Sequence, residues 1–198
     1  MIVAGLTGSI AMGKSETAKM IAARGIPVFD SDAAVHDMYS AGGEAVEPLR
    51  AVVPDAIGHD GVDRRKLASL VQADPALLKR IEAIVHPLVR ARQATFLADA
   101  ARHAELAVLD IPLLFETGRE KEVDVVIVVS ADQEQQRKRA LTRPGMTTEK
   151  LDFILSRQVP DAVKRAKADY VIDTSVSLAD TARHVERVIA DIRVKGRP

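Results

Sequence analysis

A chain of 198 residues and 21.4 kDa can bury one substantial core, or one core carrying inserted subdomains. Its 28 basic and 28 acidic residues cancel, so no net field favours nucleic acid or an anionic membrane, and 3% aromatic content without tryptophan leaves few platforms for stacking bases. With no cysteine, disulfides, thiolate metal sites and cysteine nucleophiles are excluded; with no apolar run near the ~20 residues of a membrane span and no secretory leader after Met1, the expectation is a cytoplasmic protein that is a monomer, an oligomer being the open alternative.

The first element in the chain is an apolar run over residues 2–7, which reads as a buried strand. Gly8-Ser9-Ile10-Ala11-Met12-Gly13-Lys14-Ser15 follows and fits G-x-x-x-x-G-K-S, with Glu16 opening a helix-like run in which Ala18, Ile21 and Ala22 share a face. Strand, loop and helix in this order are what a phosphate-binding P-loop requires. Gly8 and Gly13 let the backbone curl so that successive N–H groups point inward, and the helix start adds its positive dipole end. Lys14 would reach the β- and γ-phosphates of ATP, and the Ser15 hydroxyl would bind Mg²⁺. The plainer alternative is a glycine-containing turn before an ordinary helix.

Further strands are expected at residues 27–30, 106–110, 123–129 and 170–173, several of them continuous apolar runs of the kind buried on both faces. With helical stretches between, the pattern predicts an α/β fold built on a parallel sheet. Residues 31–103 show helical segments and turns but no strong strand, so they read as a helical insertion, with Asp74-Pro75 starting a helix at Ala76. A second helical excursion over 137–167 carries nine Lys or Arg against three acids and contains the turn Arg143-Pro144-Gly145-Met146. Such a run is either a solvated face or an arginine-bearing lid over a polyphosphate.

In a parallel sheet the carboxyl ends of the strands line the ligand-binding edge. Asp32, just after the second strand, and Asp110, ending the third, therefore stand where a carboxylate can take a proton from an attacking hydroxyl or hold Mg²⁺. For Asp32 the competing role is helix N-cap. His86 precedes Pro87, with Arg90 on the next turn; this is either the start of a proline-initiated helix or part of an acceptor site in which Arg90 faces an anionic group. Ile111-Pro112 after Asp110 argues against a water-activating ATPase, and no guanine-reading Asn-Lys-x-Asp occurs, so the phosphoryl acceptor is expected to be a bound alcohol or phosphate.

Taken in order, Gly5-Leu6-Thr7-Gly8 with the P-loop, Asp30-Ser31-Asp32, His86-Pro87, Asp110-Ile111-Pro112-Leu113-Leu114-Phe115-Glu116, Gln136 to Arg143, Arg157-Gln158 and Ala168 to Asp173 resemble the dephospho-CoA kinase family over nearly the whole chain. The resemblance implies a P-loop NTP hydrolase-like, nucleoside-monophosphate-kinase-like sheet. Its core would comprise 1–30 with 104–136 and 168–198, a helical CoA-binding insertion 31–103, and a lid 137–167. It implies transfer of the ATP γ-phosphoryl group to the ribose 3′-hydroxyl of dephospho-CoA, with Mg²⁺ and with no nucleic-acid or membrane partner. Carried over by position, Asp32 becomes the base, Asp110 an acid near Mg²⁺ or the ribose, Arg139 and Arg143 the lid cations, and Gln158 a residue near the lid hinge. Ala11 stands where the family has a third glycine, and Pro144 where an Asp or Asn is more common. Two rival readings stay open: a small-alcohol kinase of the shikimate or gluconate type, and a non-catalytic nucleotide-responsive module.

Overall fold

The computed structural model describes residues 1–196. Five strands form one sheet in the order β2-β5-β1-β6-β7, comprising β1 (Ile2–Thr7), β2 (Val28–Asp30), β5 (Leu106–Asp110), β6 (Val125–Ser130) and β7 (Tyr170–Asp173). β1 pairs in parallel with β5 and β6, and β6 in parallel with β7. Every residue of β5 and β6 is buried, as expected of strands covered on both faces. All five expected strands are present. The second begins one residue later than the sequence suggests, and the fourth is shifted toward Ser130.

Residues 1–29 together with the chain from Ala100 onward make one compact unit, and residues 30–99 another. In the first unit, Ala4 and Leu6 of β1, Val108, Ile127 and Ile172 point to a common face. Ile21 of α1 (Lys14–Ala22) and Val185, Ile189 and Ile192 of α9 (Leu178–Lys195) pack with them into the main core. The α9 residues recur at intervals of three and four, the spacing that makes one apolar helix stripe. After β6 come α6 (Gln133–Leu141), α7 (Thr148–Arg157) and α8 (Asp161–Ala166). The expected turn joins α6 to α7, with the Met146 N–H on the Arg143 carbonyl and Gly145 at φ 72°.

The second unit contains α2 (Ser31–Tyr39), α3 (Val46–Arg50), α4 (Arg64–Ala73) and α5 (Ala76–Ala100). It is not wholly helical: β3 (Ile57–Gly58) and β4 (Gly61–Val62) form a two-residue antiparallel pair, too short to leave a period-2 signal. The α5 start is capped as expected, Asp74 Oδ1 accepting from the Ala76 N–H at 3.0 Å. The expectation of a second helix start at His86-Pro87 is overturned. Pro87 lies inside the 25-residue α5. Leu77, Ile81, Val85 and Val89 carry one buried stripe straight through it. The apolar period outweighs the proline, whose missing N–H costs one intrahelical bond. Among the described residues no helix is long and apolar enough to cross a membrane.

Candidate active site

The loop between β1 and α1 is shaped by what lies behind it. A Cβ on Gly8 would sit 2.6 Å from the Val129 carbonyl oxygen of β6, so only glycine lets the loop leave the sheet so closely. Gly13 occupies the N-cap of α1 at φ 86° and supplies no side-chain cap, leaving the first-turn N–H groups of Lys14, Ser15 and Glu16 directed away from the helix for an anion. Ala11 stands at φ 62°, a left-handed conformation that a non-glycine residue adopts at a cost on the order of 1 kcal/mol.

Neighbouring groups hold the loop at two residues, Ile10 and Met12. Ile10 donates its N–H to Gln158 Oε1 at 3.0 Å and accepts from Gln136 Nε2 at 2.9 Å. The Met12 carbonyl accepts from the buried Thr174 hydroxyl at 2.9 Å, and the Met12 sulfur accepts from the Ala131 N–H at 3.0 Å. Ser9, Ala11 and Met12 are buried, whereas Ser15 and Glu16 are exposed, Glu16 pairing with Lys19 at 2.7 Å.

Lys14 Nζ is ion-paired with Asp110 Oδ1. The parallel register that sets Asp110 opposite Leu6 brings the end of β5 beside the loop leaving β1, and the Ile111 N–H to the Leu6 carbonyl at 3.0 Å continues it. The Asp110 side chain is 3% exposed and that of Lys14 16%, so a cation and a carboxylate sit paired at the carboxyl edge of the sheet. Arg139 of α6 donates from Nη1 to Thr174 Oγ1 at 3.1 Å and from Nη2 to the Thr174 carbonyl at 2.7 Å. The same hydroxyl holds Met12, so Arg139 lies one residue's reach from the P-loop. Arg143 is exposed in the turn after α6.

Three expected site residues belong to the second unit. Asp32 is exposed in the first turn of α2, and the cap of that helix is Asp30, whose Oδ1 accepts from the N–H groups of Asp32 and Ala33 at 2.9 Å each. The capping role weighed for Asp32 is therefore taken by its neighbour. His86 and Arg90, four residues apart on α5, share an exposed face.

A family model described as dephospho-CoA kinase matches residues 1–180. The chain belongs to the dephospho-CoA kinase family. The curated dephospho-CoA kinase of Rhizobium etli is 52% identical over 196 residues, covering 98% of this chain and 96% of the relative. Among solved structures, TT1252 from Thermus thermophilus superposes with a TM-score of 0.82 at 36% identity, covering 96% of this chain and 97% of that one. The dephospho-CoA kinase from Campylobacter jejuni superposes with a TM-score of 0.72 at 25% identity and 96% coverage of each. Membership in this family of kinases sets aside the small-alcohol kinase and the non-catalytic module.

Sequence reasoning missed Thr174 and the pair Glu116–Lys164. Lys164 of α8 is fully buried with its Nζ 2.8 Å from Glu116 Oε1, outside hydrogen-bond geometry, and the same oxygen accepts from the Val159 N–H at 2.8 Å. A lysine in a basic run carries no signal that it will be the buried one. Thr174 follows a strand of ordinary composition, and its role is visible only once β7 lies beside β6.

Proposed function

We propose that this chain catalyses the last step of coenzyme A synthesis, transferring the γ-phosphoryl group of ATP to the ribose 3′-hydroxyl of dephospho-CoA. The observation that carries the reading is Lys14 held by Asp110 beside the P-loop, which puts a cation for the phosphates and a carboxylate at one sheet edge. The loop from Gly8 to Glu16 cradles the phosphates, with the N–H groups at the start of α1 turned toward them, and Lys14 contributes its ammonium group to the β- and γ-oxygens. Asp32 accepts the proton of the 3′-hydroxyl as its oxygen bonds to the γ-phosphorus. The bond from that phosphorus to the β–γ bridging oxygen breaks and ADP departs. Arg139 and Arg143 act as cations of a lid spanning 137–167, and His86 and Arg90 bind dephospho-CoA within the mainly helical insertion, residues 31–103.

The donor set suits a small hard dication: the Ser15 hydroxyl and the Asp110 carboxylate both offer oxygen. When bound there, Mg²⁺ supplies positive charge to the phosphate oxygens. The same reading makes the chain a cytoplasmic monomer whose partners are its two small-molecule substrates. Purified protein incubated with ATP and dephospho-CoA should yield ADP and CoA in equal amounts, while shikimate and gluconate as acceptors should yield neither product above background. Phosphorylation of shikimate or gluconate, or ADP without CoA, would reject this assignment.

A further inference from the structure

Ile10 is gripped at its N–H and at its carbonyl by glutamine side chains that stand at the two ends of one segment. Gln136, in the first half of α6, is 5% exposed and donates to the Ile10 carbonyl; Gln158, just after α7, accepts from the Ile10 N–H. Between them, Ala140, Met146, Leu151 and Leu155 pack on Ile10 and Ala11 as an apolar cluster separate from the main core. The α6–α7 pair is thus fastened to the outer face of the phosphate loop by two hydrogen bonds and a small greasy patch.

The fastening also sorts the loop's donors. The Ile10 N–H is committed to Gln158, and the left-handed turn at Ala11 redirects the backbone after it. The Met12 N–H turns back to the Ser9 carbonyl at 3.2 Å, so the N–H groups left for an anion are those from Gly13 to the start of α1. Alternation of left-handed and right-handed residues is the geometry that gathers successive N–H groups into an anion-binding nest. A loop whose outer peptide slips loses that convergence, because its two left-handed residues are held in place only by what surrounds them.

We propose that Gln136 and Gln158 are positioning residues for the phosphate-binding loop, clasping Ile10 by its N–H and its carbonyl so that the donors from Gly13 onward stay aimed at the ATP phosphates. This rests on the P-loop kinase reading. The two amides have opposite jobs, which makes the proposal separable from a general packing role. Gln158 presents an oxygen to an N–H, so a carboxylate can replace it. Gln136 presents an N–H to a carbonyl oxygen, so a carboxylate there puts acceptor against acceptor.

The test is ATP affinity by calorimetry and turnover with dephospho-CoA for Gln136→Leu, Gln136→Glu, Gln158→Leu and Gln158→Glu. Each leucine variant should weaken ATP binding about threefold to tenfold, the worth of one neutral hydrogen bond. Gln158→Glu should bind ATP better than Gln158→Leu, and Gln136→Glu worse than Gln136→Leu. The same order at both positions, as loss of packing or added charge near the phosphates would give, overturns the proposal, and so does wild-type affinity in all four. Should a Gln136 variant fail to fold, exchange of the Ile10 amide in the wild-type protein decides: slow exchange is required, and exchange at the rate of an exposed loop rejects the clasp. If the wild-type protein binds ATP but makes no CoA, the acceptor assignment fails while ATP affinity still judges the clasp.

Discussion

Lys14 of the phosphate loop is paired with Asp110, a buried carboxylate four strand residues downstream of Leu106 in β5. An ammonium group so held is aimed before any phosphate arrives. Position in a loop alone predicts that folding is indifferent to Lys14; the pairing changes that. Asp110→Asn should lower the stability of the nucleotide-free protein by about 2 kcal/mol, the range for a hydrogen bond to a charged group. Because phosphates then become the main partner of Lys14, the thermal shift on adding ATP without Mg²⁺ should be larger in the variant than in wild type, while kcat measured with Mg²⁺ falls. Differential scanning with and without ATP checks both signs; an equal or smaller shift would remove the pairing from the account of binding.

The two aspartates at the start of α2, Asp30 as its N-cap and Asp32 in its first turn, should separate cleanly. Asp30 caps the helix, so Asp30→Ala should cost about 1 kcal/mol of stability. Asp32, exposed and not the cap, should give Asp32→Asn a wild-type unfolding midpoint but a kcat lower by about 10²- to 10⁴-fold, as for loss of a general base. Denaturant titration beside steady-state kinetics reads the two effects.

Lys164→Met strands Glu116 in a largely buried position and should cost about 3 kcal/mol. The double variant Glu116→Gln with Lys164→Met removes both charges and keeps an oxygen for the Val159 N–H, so most of that loss should return. A double variant as unstable as the single would mean that the charges themselves hold this corner together.

Ala11 carries two opposed terms. Ala11→Gly relieves a left-handed alanine, worth about 1–2 kcal/mol, but gives up a buried methyl worth about 0.8 kcal/mol and adds unfolded-chain entropy. The net change in urea-derived stability should stay within about 1 kcal/mol. Ala11→Val meets the same backbone with a branched side chain inside the cluster with Ala140 and Leu151, and should cost more than about 2 kcal/mol.

Where β7 meets α9, pH should act from both ends. Hydrogen bonds from Lys195 and Tyr170 hold the Asp191 carboxyl below its usual value of 3.8, so its stabilisation is full above that value and fades as pH falls through the lowered one. Desolvation, with the Asp191 contact, raises the Tyr170 hydroxyl above 10.0, and Asp191 raises Lys195 above 10.5; both contributions are full below those values and fade as pH climbs through the raised ones. Asp191→Asn should flatten the acid and alkaline limbs of a stability–pH curve together. Salt should do the same in part, since Lys195 is exposed and Asp191 only partly buried, so their pairing is screened.

The strands and the P-loop were legible because both write local patterns: apolar runs bounded by turn residues, and glycines at fixed spacing before Lys14 and Ser15. Asp110 could be placed at a sheet edge from its run alone. What stayed hidden were contacts decided by chain segments far apart in sequence. Nothing local marks Lys164 as the buried member of nine cations, Thr174 as the hydroxyl shared by Met12 and Arg139, or Gln136 as the donor to Ile10. Pro87 misled for the complementary reason: a strong local breaker was overruled by a four-residue apolar stripe running on either side of it.

The position of β1 in the sheet also has a consequence on the ribosome. It is made well before its neighbours β5 and β6, which begin at residues 106 and 125. At about 5–20 residues per second, the N-terminal strand and its phosphate loop wait roughly 5–20 s with apolar edges unpaired before either partner is translated. Residues 30–99, which form a compact unit of their own, emerge during that wait. Nascent chains arrested when residue 99 has just cleared the exit tunnel should therefore show a protease-resistant fragment from that unit while β1 remains open to cleavage and to chaperones, and protection of β1 should appear only once β6 has cleared the tunnel as well.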